Sequence, residues 1–328
     1  MESQQYNTPE GPVPQTTRQS EMFANRIAKN HKHLAKWAKN NGIECFRVYD
    51  RDIPELAFAL DIFADRAHLQ QYSAPVMAPG AQRDWLAAMH EAAARALKLP
   101  RPSVTLKQRQ GQSPDDQYRK LATRTADFVV NEGGHRFIVN LSGHLDTGLF
   151  LDHRQTRALV GSLARGRRVL NLFCYTGSFS VYAAKNQAAA TTSVDLSKTY
   201  LDWAKRNFDL NGIDHGRNRL IQADAVRFIE TERASRDRYE LVVLDPPSFS
   251  NSKRMHGVLD VQRDHVALIR GCMELLAPGG ELLFSTNLRT FRLDAALADL
   301  PMEEISAQTV PPDFRNRRIH RCWRVKGP

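Results

Sequence analysis

Four stretches carry residue types able to do chemistry, and they recur at regular intervals. The first is Phe173-Cys174-Tyr175-Thr176-Gly177-Ser178, which closes an apolar run at 169–173. A strand that ends in a glycine turn and opens a helix leaves free backbone N–H groups at the helix start. Such groups favour a carboxylate or a phosphate. Gly177 lets the backbone approach that ligand, and Ser178 is placed to cap the helix. The second is Asp195, 18 residues after Gly177, whose carboxylate can accept two hydrogen bonds from a ribose diol. The third is Asp224-Ala225, where Asp224 can accept from an adenine amino group, cap a helix, or do both. The fourth is Asp245-Pro246-Pro247-Ser248-Phe249. Two consecutive prolines stiffen the backbone and hold Asp245 rigidly at a sheet edge. A purely structural Asp-Pro-Pro turn is the alternative, but its place after three other candidate strand ends favours function. The Asp195 spacing also suits a nicotinamide dinucleotide. The first turn, however, has one glycine where a pyrophosphate turn has three, so a smaller nucleoside cofactor fits better.

These residues need a sheet to bring them together. From residue 168 the patterns alternate. Strands are expected near 169–173, 190–195, 218–222, 240–245 and 281–286, with helices near 178–186, 198–210, 224–233 and 261–276. That alternation predicts an α/β fold, a mostly parallel sheet with helices on both faces. Ligands bind such sheets beyond the carboxyl ends of the strands, at the switch point. The stretch 314–325, with Arg315, Arg317, Arg318, Arg321 and Arg324, reads as the antiparallel end of the sheet with its basic residues facing out.

The first half reads differently. Residues 1–20 are polar and read as a disordered tail. Residues 20–41 read as a helix capped by Ser20, with Phe23, Ile27, Leu34 and Ala38 on one side and Lys29, Lys32, Lys36 and Lys39 on the other. That lysine face is either solvated or tracks phosphates. Strands are expected at 44–48, 57–62, 67–72 and 104–108, a helix at 85–97, and a hairpin around Gly133-Gly134. Residues 21–148 are thus expected to form a small α+β domain, basic enough to dock RNA. Residues 149–328 would form a cofactor-binding catalytic domain. Asp152 reads as the N-cap of a helix reaching about 164, and His153 as either a local contact or a catalytic group.

The chain has 328 residues, 42% hydrophobic and 25% charged. The composition is that of a globular protein, with no apolar run long enough to span a bilayer and no signal-peptide core, so a cytoplasmic location is expected. The four cysteines are scattered and imply neither disulfides nor a zinc site. A net charge of +10 fits a polyanionic partner, nucleic acid above all.

The four strand ends, taken in order, resemble the class I S-adenosylmethionine-dependent methyltransferases. The resemblance implies a Rossmann-like, mostly parallel seven-stranded sheet. It implies S-adenosylmethionine as cofactor, with Phe173, Tyr175, Thr176, Gly177 and Ser178 at its methionine part. Asp195 and Leu196 would sit at the ribose, Asp224 and Ala225 at the adenine, and Asp245, Pro246 and Pro247 would face the methyl group. Tyr175-Thr-Gly-Ser178, Val194-Asp-Leu-Ser197, Trp203 with Asn207 and Asn211-Gly212, and Asp245-Pro-Pro-Ser-Phe249 narrow the resemblance to bacterial 23S rRNA methyltransferases. These include cytosine-C5 and guanine-N7 enzymes. The C5 members carry a nucleophilic cysteine in a Ser-Cys-Ser sequence after the fifth strand. Here that stretch is Phe284-Ser-Thr-Asn287. Longer strings are similar to the guanine-N7 branch. They are Met22-Phe-Ala-Asn-Arg26, Leu145-Asp-Thr-Gly-Leu-Phe-Leu-Asp-His-Arg154, Ser250-Asn-Ser-Lys-Arg-Met255, Asp260-Val-Gln-Arg-Asp-His265 and Asn316-Arg-Arg-Ile-His-Arg-Cys-Trp323. In many members this half follows an N2-guanine methyltransferase; that half is absent here, so its activity is expected to be absent too. The resemblance implies 23S rRNA or a large-subunit assembly intermediate as substrate, with a separate N2-guanine methyltransferase as a candidate partner. It places Phe249 against the guanine and Lys253, Arg254 and Arg154 on the RNA, and it calls for no metal. The alternatives are another RNA N-methyltransferase acting on guanine N2 or adenine N6, and an RNA-binding assembly factor with a vestigial cofactor pocket.

Overall fold

In a computed structural model the described residues are 15–73, 75–108, 127–144, 146–235, 237–251 and 257–328. The chain divides into two compact units, Met1–Asn40 with Cys45–Ala122, and Asn41–Glu44 with Thr123–Pro328.

In the first unit α1 (Gln15–Asn40) starts earlier than expected. Ser20 lies inside it and bonds back to the carbonyl of Thr17, so it caps nothing. Residues 15–20 are therefore helical, while the rest of the expected tail lies outside the described residues. A four-stranded sheet is built from β1 (Cys45–Asp50), β2 (Phe58–Phe63), β3 (Arg66–Gln71) and β4 (Val104–Gln108), in that order. The helix α2 (Pro79–Leu97) joins β3 to its parallel neighbour β4. Phe23, Tyr49, Phe58 and Trp85 form one buried aromatic cluster that fastens both helices to the sheet. Lys29, Lys32, Lys36 and Lys39 are all exposed along the outer face of α1.

The second unit opens with the hairpin of β5 (Phe128–Glu132) and β6 (His135–Val139). Gly133 and Gly134 both take positive φ, 59° and 81°, as a two-residue hairpin turn demands. The hairpin falls within the second compact unit, which takes in Thr123–Pro328. The further elements of this unit are α3 (Arg154–Leu163), β7 (Arg168–Leu172), α4 (Ser178–Lys185), β8 (Ala190–Asp195), α5 (Lys198–Leu210), β9 (Asn218–Gln222), α6 (Ala225–Arg233) and β10 (Tyr239–Leu244). After them come β11 (Phe249–Ser250), β12 (Leu259–Asp260), α7 (Val261–Glu274), β13 (Leu276–Thr286), β14 (Met302–Glu304), α8 (Ser306–Thr309) and β15 (Arg321–Lys326). The main sheet has seven strands in the order β14-β15-β13-β10-β7-β8-β9. The five strands from β13 to β9 are parallel, and β15 is antiparallel to both neighbours. The terminal strand is thus shorter than expected and lies inside the sheet, with β14 outside it. Asp152 does not cap α3; it lies in a 3-10 turn, Leu151–His153, and His153 takes the cap position.

The helix α5 docks on β6 through one stripe. Trp203 donates Nε1–H to the carbonyl of Ile138 at 2.9 Å. Asn207 accepts from the amide of Ile138 at 2.9 Å. Asn211 both accepts from and donates to the backbone of Arg136, at 3.0 and 2.7 Å. Spacing of four puts these side chains on one helix face, where they satisfy a strand edge that would otherwise be buried unpaired.

Candidate active site

The chain runs outward from β7 through β8 to β9, then returns to β10 on the other side of β7. The switch point lies between β7 and β10, and the four sequence stretches sit at the carboxyl ends of these four strands.

The turn after β7 is strained and held. Phe173, Tyr175 and Gly177 all adopt left-handed backbone, with φ of 56°, 51° and 74°. For the two non-glycine residues this costs about 1–2 kcal/mol each. The surroundings fix it: the amide of Cys174 donates to the carbonyl of Val194 at 2.9 Å, and the amide of Tyr175 donates to Asp195 Oδ2 at 2.9 Å. Asp195 Oδ1 accepts from the amide of Ser197 at 2.8 Å. Burial pushes the Asp195 carboxyl upward in pKa, against the pull of the Ser197 and Tyr175 amides. From the side, Thr176 donates its hydroxyl to the carbonyl of Gly148 at 2.7 Å, and the amide of Gly148 donates to Tyr175 Oη at 2.9 Å. Asn207 donates to the carbonyl of Thr176 at 2.9 Å. Gly148 has φ of 94°, and a Cβ there would lie 2.3 Å from the Trp203 ring.

For this turn, one reason is added and one expectation is corrected. A Cβ on Gly177 would meet Ala204 and Phe208 of α5 at 3.0 and 3.2 Å. Helix packing and positive φ therefore require this glycine in addition to any approach from the ligand side. Ser178 does not cap α4: Gly177 holds the cap position and no side chain bonds there.

Asp224 caps α6 through the amide of Val226 at 2.9 Å. Beside it, between α6 and α7, opens a pocket of about 450 Å³ whose lining includes Val226, Ile229, Leu259 and Leu268. The carbonyl of Leu196 accepts from Gln222, and Ala225 is buried.

Asp245 follows β10. Its Oδ1 accepts from the Ser285 hydroxyl at 2.6 Å, and its Oδ2 lies 3.5 Å from His153 Nε2. Pro246 is buried and Pro247 exposed. Ser248 donates to Asn287 Oδ1 at 2.6 Å, joining the ends of β10 and β13. Phe249 is 59% exposed, on the short ribbon of β11 and β12. A pocket of about 560 Å³ opens beside it, lined by Ser248, Asp260, Gln262, Leu288 and Arg292 among others.

A sequence profile described as S-adenosylmethionine-dependent methyltransferase matches residues 80–316. The chain belongs to this methyltransferase family. A relative from Neisseria meningitidis serogroup B, named ribosomal RNA large subunit methyltransferase K, is 53% identical over 306 residues, 93% of this chain and 86% of its own. One from Allochromatium vinosum, named ribosomal RNA large subunit methyltransferase K/L, is 51% identical over 313 residues. That match covers 94% of this chain, which spans only 42% of the relative's length. Among solved structures, the methyltransferase fold is shared with SMU.776 complexed with SAH, at a TM-score of 0.76 and 24% identity over 97% of this chain and 83% of that one. An S-adenosylmethionine-dependent methyltransferase from Streptococcus mutans gives 0.75 at 23% identity, with the same coverage.

The methyltransferase cofactor is S-adenosylmethionine, and the donor set fits it. Asp195 is anchored by two backbone amides yet keeps further lone pairs for a ribose diol. Asp224 uses one oxygen as a cap, and its other oxygen would be the acceptor for an amino group. The Phe173–Ser178 turn would present a fixed backbone to the methionine part.

Not every expected residue joins this site. Arg154 is 5% exposed and pairs with the buried Asp313 at 2.8 Å, 3.4 Å from Glu132. It holds the fold together and is not placed to touch RNA. Lys253 and Arg254 lie outside the described residues. Cys322, remote from the motifs in sequence, pairs in register with Ser285 beside Asp245. It is fully buried, and burial drives its thiol far up in pKa. Gly148, Ser285 and His320 carried no sequence signal of their own. Gly148 and His320 did lie within the long strings used to identify the branch.

Proposed function

We propose that the protein methylates N7 of a guanine in 23S rRNA. The observation that carries this reading is the absence of a usable thiol beside an open aromatic. Methylation at cytosine C5 requires a thiolate to activate the ring. All four cysteines are buried, and burial pushes the thiols of Cys174, Cys272 and Cys322 upward in pKa. An acceptor that attacks directly fits this site better, and guanine N7 carries an in-plane lone pair that needs no general base. The names of the relatives support an rRNA substrate, and the exposed lysines of α1 supply phosphate contacts.

When bound, S-adenosylmethionine supplies an electrophilic methyl group. This chain's residues have the task of alignment. The Asp245-Pro246-Pro247 backbone holds a rigid edge beside the reacting centre, and Phe249 stacks on the extruded base. The Asp245 carboxylate stabilises the positive charge that develops on the methylated ring. Amino-group methylation at guanine N2 or adenine N6 usually places an aromatic directly after Pro-Pro. Here Ser248 intervenes, and Asn287 ties its hydroxyl down.

The test uses labelled S-adenosylmethionine and 23S rRNA from cells lacking the gene. Borohydride and aniline cleave RNA at 7-methylguanine. One new cleavage site is expected. Label uptake without cleavage would move the chemistry to an amino group or the ribose. Asp245→Ala is expected to abolish transfer while leaving cofactor binding normal; retained transfer would remove Asp245 from the reaction.

A further inference from the structure

Behind Asp245 lies a buried polar chain that the methyl-transfer reading leaves without a task. Thr309 Oγ1 meets His320 Nε2 at 3.0 Å, and His320 Nδ1 meets Asp152 Oδ2 at 3.0 Å. His153 Nε2 then lies 3.8 Å from Asp152 Oδ2 and 3.5 Å from Asp245 Oδ2. Asp152, His153 and His320 bring ligand atoms within 4.8 Å of one another, as a metal site would. Their geometry argues against one. The two imidazoles stack with centroids 4.4 Å apart and planes 8° from parallel. In-plane lone pairs of parallel stacked rings do not converge on one tetrahedral ion. Both ring nitrogens of His320 are also already engaged.

The tautomer of His153 is set by its burial. Its Nδ1 is buried with no hydrogen-bond partner. A proton there would be an unsatisfied donor, so the single proton of the neutral ring sits on Nε2. That N–H points between two carboxylates. Asp152 Oδ2 is already taken by His320 at the shorter distance, which leaves the His153 proton to Asp245.

We propose that His153 is a positioning residue for Asp245: its Nε2–H holds one carboxylate oxygen while Ser285 holds the other, fixing the carboxylate toward the reacting centre. The present 3.5 Å closes to a hydrogen bond with a small movement of either side chain. The inference rests on the assignment of Asp245 to the methyl-transfer site. The imidazole is surrounded by Asp152 and His320, by Arg157 from α3, by Asp245 from the end of β10, and by the Phe179 ring edge from α4. Burial holds its pKa below the ordinary 6.5, over the opposing pull of Asp245 and Asp152. A second proton would have to go onto the buried Nδ1. It would convert a neutral donor into a cation paired with Asp245, cancelling the charge that steadies the methylated ring.

The experiment compares wild type, His153→Phe and His153→Gln, measuring kcat and both KM values across pH, with cofactor affinity and melting temperature alongside. The phenylalanine keeps the stack and removes the donor; the glutamine amide reaches the place of Nε2. His153→Phe is expected to lower kcat by about 100-fold, with KM and cofactor affinity unchanged. His153→Gln is expected to restore most of that loss. The wild-type kcat is expected to fall on the acid side of pH 6.5, and that limb to vanish in both variants, since neither side chain ionises. Wild-type activity in His153→Phe, or a glutamine variant as poor as the phenylalanine one, would overturn the proposal. If His153→Phe fails to fold, an acid limb persisting in His153→Gln overturns it. Full activity of Asp245→Asn would instead remove the assignment on which the inference rests.

Discussion

The two sides of the switch point are held by different means. On the cofactor side, Asp195 accepts from the amide of Tyr175, 20 residues away, and from that of Ser197, two away. The bonds are to backbone, and they lock three left-handed residues into one turn. On the acceptor side, Asp245 is held by the Ser285 hydroxyl 40 residues on, and Ser248 by Asn287, 39 residues on. Its second oxygen faces His153 from far earlier in the chain. These bonds join side chain to side chain. A backbone clamp fixes a site whose ligand never varies. A side-chain clamp can be changed one residue at a time without rebuilding the backbone.

Three substitutions press on this contrast, from the largest expected effect to the smallest. Arg154→Ala removes one partner of a buried ion pair with Asp313. It should cost about 3–5 kcal/mol of stability, read as a lower melting temperature. RNA affinity of the folded fraction should be unchanged; a loss of RNA affinity without loss of stability would return Arg154 to the substrate surface. Asp195→Ala removes the cofactor-side clamp and a ribose partner together. Charge-assisted hydrogen bonds of this kind are worth about 1.5–3 kcal/mol, so calorimetry should record cofactor binding weaker by roughly 10- to 100-fold. If binding weakens by less than that while RNA binding suffers, the two sides are not separable. Phe249→Ala touches only the acceptor side. Loss of one stacked base is worth about 1–3 kcal/mol. The expected result is a higher KM for RNA with cofactor affinity intact, measured by filter binding and calorimetry.

The two sides also differed in how far the sequence revealed them. On the cofactor side, the apolar strand, the glycine turn and Asp195 lie within one βαβ unit, so spacing alone placed them. Even there one reason was wrong and one was incomplete. Ser178 is not a cap, and Gly177 is also required by Ala204 and Phe208. On the acceptor side, Asp245-Pro-Pro was visible because proline stiffness is local. Ser285 and His320 lay within quoted strings but were given no role, because the partners that give them one, Asp245 and Asp152, are distant in the sequence. Such distance also hides the partners of Arg154 and Cys322. One was expected on the RNA and is buried in an ion pair; the other is far from Asp245 in the sequence and lies in register with Ser285.

By itself, the sequence determined the alternation of strand and helix, the order of the four strand ends and the residue types at each. These come from hydrophobic period, turn chemistry and backbone stiffness, all of which act over a few residues. Only the tertiary structure decided which polar groups meet across the sheet. It set Gly148 against Trp203, and it stacked His153 on His320 behind Asp245. Strand order and register fix such pairings, and neither can be read from one strand alone.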